Sequence, residues 1–231
     1  MTAETPIYLD HNATTPILPE VVDAMLPYLR EHFGNPSSGH VYGRRAHDAV
    51  ERARGQVATL LGCDDGEVIF TSGGTEANNL AIRGVAEARN DRRHVVTTAI
   101  EHPATEQPCA WLERHGMRLT RIGVDANGRA RVDEARAAID TATALVTVMH
   151  SNNETGVLQP IADIAGLVRA VGAILHTDAA QSVGKVPLKV RELGVDLLSI
   201  AGHKLYAPKG VGALYVRRGT PIVPFTLGAG H

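Results

Sequence analysis

The chain has 231 residues, of which 44% are hydrophobic and 21% charged, the balance of a globular protein with ample core. A net charge of -2 and an aromatic fraction of 4% supply neither a basic footprint nor a stacking platform, which argues against nucleic acid as a partner. No apolar run approaches a membrane span and no signal-type apolar stretch follows the start. Two cysteines, Cys63 and Cys109, make neither a disulfide framework nor a zinc spacing, so the chain reads as cytoplasmic, with no membrane partner and no metal.

In chain order, Met1 to Pro19 lacks a periodic pattern and contains LDHNATTP, Leu9 to Pro16. Val21, Val22, Met25, Leu26 and Leu29 then recur at helical spacing, and FGNPSSGH, Phe33 to His40, has the composition of a loop. Tyr42 to Leu61 predicts a long amphipathic helix that buries Ala46, Ala49, Val50, Ala53, Val57, Leu60 and Leu61 and ends at Gly62. A regular alternation follows. Strands are predicted at Glu67–Thr71, His94–Ala99, Arg118–Gly123, Ala144–His150, Ala173–Thr177, Val195–Ile200 and Val211–Val216. Helices are predicted at Thr75–Ala88, Ala104–His115, Val132–Ile139, Ile161–Val171 and Val190–Leu193. Strand, helix, strand in repeated order implies crossover connections, hence an α/β fold with a mainly parallel seven-stranded sheet and helices on both faces. The link from Ile200 to Val211 is too short for a helical crossover, so the last strand is predicted antiparallel to the one before it.

The polar residues are distributed unevenly along these strands. Their carboxyl ends run into TSGGTEANN, Glu101-His102-Pro103, HSNNETG, HTDAAQS and AGHK, while the amino ends show nothing comparable. In a parallel sheet those carboxyl ends share one edge, where open α/β proteins keep their ligands. Lys204 sits there on a tight turn, where partial desolvation and a neighbouring His203 lower an amine's pKa toward that of a nucleophile. Such a lysine can form a Schiff base with pyridoxal phosphate. Gly73-Gly74-Thr75 opens a helix whose free N–H groups suit a phosphate, and Asp178 can face a pyridine nitrogen. Gln181 can bond the ring hydroxyl, and His102 can stack on the ring or move protons. Each residue has an ordinary structural reading as well: a surface lysine, a loop-to-helix junction, a turn aspartate, a polar cap at His102, a structural turn at Asn153. The set arranged around Lys204 favours the cofactor reading.

LDHNATTP, FGNPSS, TSGGTEANNLAI, EHPA, NNETG, HTDAAQSVGK and GHKLYAPKGVGALYVRRG together resemble cysteine desulfurases of the NifS/IscS type, within the class V aminotransferase group of fold type I pyridoxal-phosphate enzymes. The resemblance runs from about Tyr8 to the last residues. It implies Lys204 as the Schiff-base lysine and His102 as the stacking and acid–base histidine. Asp178 would partner the pyridine nitrogen, Gln181 and Asn153 the ring substituents, and Gly74, Thr75 and His203 the phosphate. It further implies a division into residues 1–15, belonging to a small domain, and 16–231, the cofactor-binding large domain. The implied activity removes sulfur from L-cysteine to give alanine and an enzyme persulfide, for iron–sulfur cluster or other sulfur transfer. Implied partners are a second copy in a homodimer and a sulfur-acceptor or scaffold protein. Two departures stand out: Ala201 replaces a serine common in relatives, and the family's sulfur-accepting cysteine loop and substrate-carboxylate arginine find no match. The chain is expected to be inactive alone. A selenocysteine lyase, another class V aminotransferase, or a non-catalytic half of a split enzyme shares most of these motifs.

Overall fold

A computed structural model of the chain describes residues 6–228. Seven strands, β1 (Val68–Thr71), β2 (His94–Thr98), β3 (Arg118–Ile122), β4 (Thr143–Thr147), β5 (Ile174–Asp178), β6 (Leu197–Ala201) and β7 (Gly212–Val216), form one sheet in the order β1-β7-β6-β5-β4-β2-β3. β7 runs antiparallel to both β1 and β6, and every other pairing is parallel. All strands but β7 therefore send their carboxyl ends to one edge, as the short β6–β7 link predicted. Helices α1 (Pro19–Arg30), α2 (Val41–Leu61), α3 (Gly74–Ala88), α4 (Pro103–Arg114), α5 (Val132–Ala138), α6 (Ile161–Ala170) and α7 (Val190–Leu193), with two 3-10 turns at Asp65–Glu67 and Gly202–Lys204, complete the described elements. None is long and apolar enough to cross a membrane.

The two-residue period of the strands builds two cores. Val95, Leu145, Ile174 and Leu197 pack with Ala77, Ile82 and Val85 of α3 and with Cys109 and Leu112 of α4. Their neighbours Val96, Val146, Leu175 and Leu198 point the other way, against Ile161, Ile164 and Val168 of α6 and Ala58 and Leu61 of α2. Central strands buried on both faces read as continuous apolar runs, which is why they were legible.

Close backbone approach fixes where α3 begins. A Cβ on Gly212 would lie 2.6 Å from the Ile200 carbonyl oxygen and 2.7 Å from the Gly73 backbone, so the turn into α3 rests directly on β7. Gly73 itself has φ 155° and ψ -180°, a conformation reached essentially by glycine alone. The first turn of α3 is thereby set beside the end of β6.

One expectation, the buried face of α2, is corrected, and the readings of the amino ends and of α1 are extended. The amino ends of the strands carry one polar cluster: the ring nitrogens of His94 lie 2.9 Å from the hydroxyls of Thr143 and Thr120, and Arg118 pairs with Asp140 nearby. This cluster is satisfied internally. Burial, and next the Arg118 charge, holds the His94 pKa below its usual value. Of the predicted face of α2 only Ala46 and Leu61 are buried and Leu60 is exposed, while Ala58, outside that face, is buried, because the helix touches the sheet mainly through its last turns. The apolar residues of α1 do recur at helical spacing, yet none is fully buried.

Candidate active site

One pocket opens at the carboxyl edge, and all eight residues singled out from the sequence line it: Gly74, Thr75, His102, Asn153, Asp178, Gln181, His203 and Lys204. Four strand ends and the start of α3 bring them together from separate parts of the chain. Gly74 and Thr75 form the first turn of α3, and no side chain caps that end. Among the described residues the N–H groups of Gly74 and Thr75 have no acceptor, which leaves them for an anion. Ser72 is held back from this opening by Glu76, whose carboxylate accepts from its N–H at 2.8 Å.

His102 caps α4, its Nδ1 accepting from the Ala104 N–H at 3.1 Å. A nitrogen that accepts carries no proton, so the neutral ring has its hydrogen on Nε2. Asp178 ends β5 and is 7% exposed. Its Oδ1 accepts from the Ala180 N–H at 2.9 Å and its Oδ2 from the Asn78 amide at 2.7 Å. Gln181 lines the pocket with both ends of its amide engaged, donating to the Asn12 carbonyl and accepting from Lys185. Asn153 donates to Glu154 at 2.7 Å.

Lys204 closes a 3-10 turn, Gly202–Lys204, directly after β6. A Cβ on Gly202 would meet the Val211 carbonyl oxygen at 2.8 Å, so the turn is pressed against the strand that returns past it. The segment before α1 holds it from the other side. Thr15 donates its N–H and its hydroxyl to the His203 carbonyl, each at 2.9 Å, and its hydroxyl accepts from the Tyr206 N–H. Tyr206, with φ 59°, is the one non-glycine residue at positive φ among the described residues, a strained turn that these bonds pin. Burial lowers the Lys204 pKa; the Asp178 charge opposes that shift and the Lys185 charge adds to it. Burial, then the charges of Lys204 and Lys209, likewise lower the pKa of His203.

The sequence reading missed the layer behind these residues. Asn78, fully buried in α3, reaches Asp178 and the Thr105 hydroxyl. Its signal was a polar residue on the apolar row 78–82–85 of that helix. Asn152 gathers the N–H groups of Glu154 and Thr155 on its Oδ1 and donates to the Ile100 carbonyl, which sets the loop that carries Asn153. His176 bridges the hydroxyls of Thr147 and Ser199 at 2.7 and 2.9 Å, tying β4, β5 and β6 together on the face that carries Asp178. Burial pushes its pKa down to about 4 against the pull of Asp178, so the ring is neutral at neutral pH.

Glu101 is a half-buried residue with its carboxylate tucked between the ends of β2 and β4. Its Oε1 accepts from the Thr98 hydroxyl at 2.6 Å and the Met149 N–H at 2.9 Å, while Oε2 is buried without a partner among the described residues. Burial raises its pKa to about 8, against those two hydrogen bonds. The unfolded chain releases this proton near the ordinary carboxyl pKa, and the folded chain keeps it until about pH 8. Stability from this group is therefore complete below the ordinary value and is lost as pH rises through 8. Glu101→Gln, which is neutral at every pH, should remove that loss. Urea unfolding at pH 5 and pH 8 should show the variant gaining on wild type by on the order of 4 kcal/mol between the two. Parallel pH profiles for the two proteins would contradict this assignment.

The sequence model of Aminotransferase class-V matches residues 7–231. A cysteine desulfurase of Trichormus azollae is 50% identical over 97% of this chain and 56% of its own length. A mitochondrial cysteine desulfurase of Drosophila melanogaster is 53% identical over 92% of this chain and 46% of its own length. Among solved structures, a NifS-like protein superposes with a TM-score of 0.94 at 37% identity, over 97% of this chain and 62% of the other. The structure described as SspA in complex with cysteine gives 0.94 at 39% identity, over 97% and 65%. The chain thus spans about half the length of the curated relatives it matches.

Proposed function

Because the chain belongs to the class-V aminotransferase family, we propose that its pocket holds pyridoxal phosphate and forms the cofactor-binding part of a cysteine desulfurase acting on L-cysteine. The observation that carries this reading is the meeting, in one pocket, of a partly buried amine, a buried carboxylate and an uncapped helix start. The donor set fits the group part by part. Gly74, Thr75 and His203 would hold the phosphate, Asp178 the ring nitrogen and Lys204 the aldehyde. Asn153 and Gln181 would meet the ring substituents, Gln181 by exchanging one of its present partners. Ala201 supplies no hydroxyl to the phosphate, and its Cβ instead would lie 3.2 Å from any Cβ on Gly74.

When bound, the cofactor supplies an electron sink for charge left at an amino acid's α-carbon. Lys204 is the base for the α-proton, since burial favours its neutral amine. The Asp178 carboxylate, held by two donors, keeps a proton on its nitrogen partner. His102, with Nδ1 committed to Ala104, presents Nε2–H to the pocket.

Sulfur transfer needs a thiolate, and neither cysteine suits. Cys109 is fully buried on the sheet-facing side of α4, and neither it nor Cys63 lines the pocket. Burial pushes the Cys63 thiol up to about 11 and raises Cys109 further. The accepting thiol is therefore not among these 231 residues. The same proposal includes residues 1–15 as part of a small domain and 16–231 as the large one, a cytoplasmic homodimer, and a sulfur-acceptor or scaffold protein in iron–sulfur cluster assembly.

The test uses residues 1–231 with excess pyridoxal phosphate and L-cysteine in deuterated buffer. Deuterium should enter the α-position without sustained release of sulfide and alanine. Absence of cofactor-dependent exchange would refute the site. Many turnovers of alanine, surviving Cys63→Ser with Cys109→Ser, would refute the account of the thiol.

A further inference from the structure

Asn78 stands out among the buried polar groups around the pocket. It is fully buried, and one amide nitrogen serves two acceptors: Asp178 Oδ2 at 2.7 Å and Thr105 Oγ1 at 3.1 Å. Its own Oδ1 is buried and has no hydrogen-bond partner among the described residues. Leaving a buried acceptor unpaired is costly, on the order of 1–3 kcal/mol. A flipped amide would put that oxygen 2.7 Å from a carboxylate oxygen, acceptor against acceptor. The Asp178 carboxylate thus dictates the orientation of Asn78, and the unpaired oxygen marks how strongly. The other Asp178 oxygen is held by the Ala180 N–H in the turn that follows β5. Asn78 comes from α3 and Thr105 from α4, so the bond joins both helices of one layer to the end of the strand that carries the acid.

We propose that Asn78 is a positioning residue that fixes the Asp178 carboxylate as an acceptor facing the pocket, with Thr105 holding the Asn78 amide in place. The inference rests on the pyridoxal-phosphate reading of the pocket. It concerns the ring nitrogen alone: the hydrogen bonds of the Asn78 side chain go to Asp178 and Thr105, and among the described residues none goes to Gly74, Thr75 or His203. A carboxylate without its buried donor is free to rotate or to take up a proton, and in either case its pairing with a protonated ring nitrogen weakens.

The experiment compares the affinity of pyridoxal phosphate with that of its analogue bearing C–H in place of the ring nitrogen. Both are titrated into wild type, Asn78→Ala and Thr105→Val. Wild type should prefer the natural cofactor. In Asn78→Ala that preference should fall roughly tenfold or more, the worth of one hydrogen bond to a charged group. Affinity for the analogue should stay near wild type, because it has no nitrogen for Asp178 to meet. Thr105→Val, which is nearly isosteric, should lower the preference in the same sense and decides the matter if Asn78→Ala does not fold. Equal weakening of both ligands, or a preference unchanged in the variants, would overturn the proposal. Failure of wild type to bind either ligand would instead count against the cofactor reading itself.

Discussion

Lys204→Ala should lose pyridoxal phosphate completely on gel filtration, while the folded chain remains. The amine is presented by a turn whose geometry does not depend on it: Gly202 is pressed against Val211, and Thr15 holds the His203 carbonyl. Removing the side chain therefore leaves the backbone bonds intact, and stability should stay within about 1 kcal/mol of wild type. What disappears is the nucleophilic nitrogen. Lys204→Arg separates charge from nucleophilicity, since a guanidinium carries the positive charge opposite Asp178 but is never neutral at working pH. Both variants should release the cofactor, as followed by absorbance of the protein peak. Wild-type retention in Lys204→Arg would mean that charge alone holds the ligand.

Asp178→Asn should retain cofactor yet slow α-proton exchange by roughly 10²–10³-fold, the range seen when one preorganised electrostatic group is removed. The substitution is nearly isosteric: the asparagine oxygen can still accept from Ala180, while its amide nitrogen donates to the Asn78 oxygen once that amide flips, so the pocket keeps its shape. It cannot balance a protonated ring nitrogen, and the electron sink is lost with that charge. Proton NMR of L-cysteine in deuterated buffer reads the exchange directly. Exchange at the wild-type rate in Asp178→Asn would remove Asp178 from the proposed role.

Much of this was legible because it depends on periodicity. Val95-Val96, Leu145-Val146 and Leu197-Leu198 are apolar on both faces of a covered sheet, and the breaks after them mark one edge. Lys204, Asp178 and His102 could be grouped because each follows such a break. The supporting layer was harder to see. Asn78 lies one turn into α3, where a single polar residue on an apolar row gives no hint of which acid it meets 100 positions away. Glu101 sits in an irregular link, where exposure has no period, and its burial follows from the meeting of β2 and β4. His94 was passed over because a lone histidine at a strand start gives no sign of its partners, which are hydroxyls on the two neighbouring strands. In α1 the pattern gave the helix and its apolar face but carried no information on what covers that face.

The central claim, that Lys204 is the residue that holds pyridoxal phosphate, is tested most directly by borohydride reduction of the cofactor-loaded chain followed by peptide mapping. The chain has four lysines, Lys185, Lys189, Lys204 and Lys209. Lys185 is the informative competitor, because burial lowers its pKa too and it reaches Gln181 at the pocket wall. The pyridoxyl group should be found on the peptide containing Lys204, in stoichiometric amount. Label carried reproducibly by Lys185, Lys189 or Lys209, with Lys204 unmodified, would contradict the account.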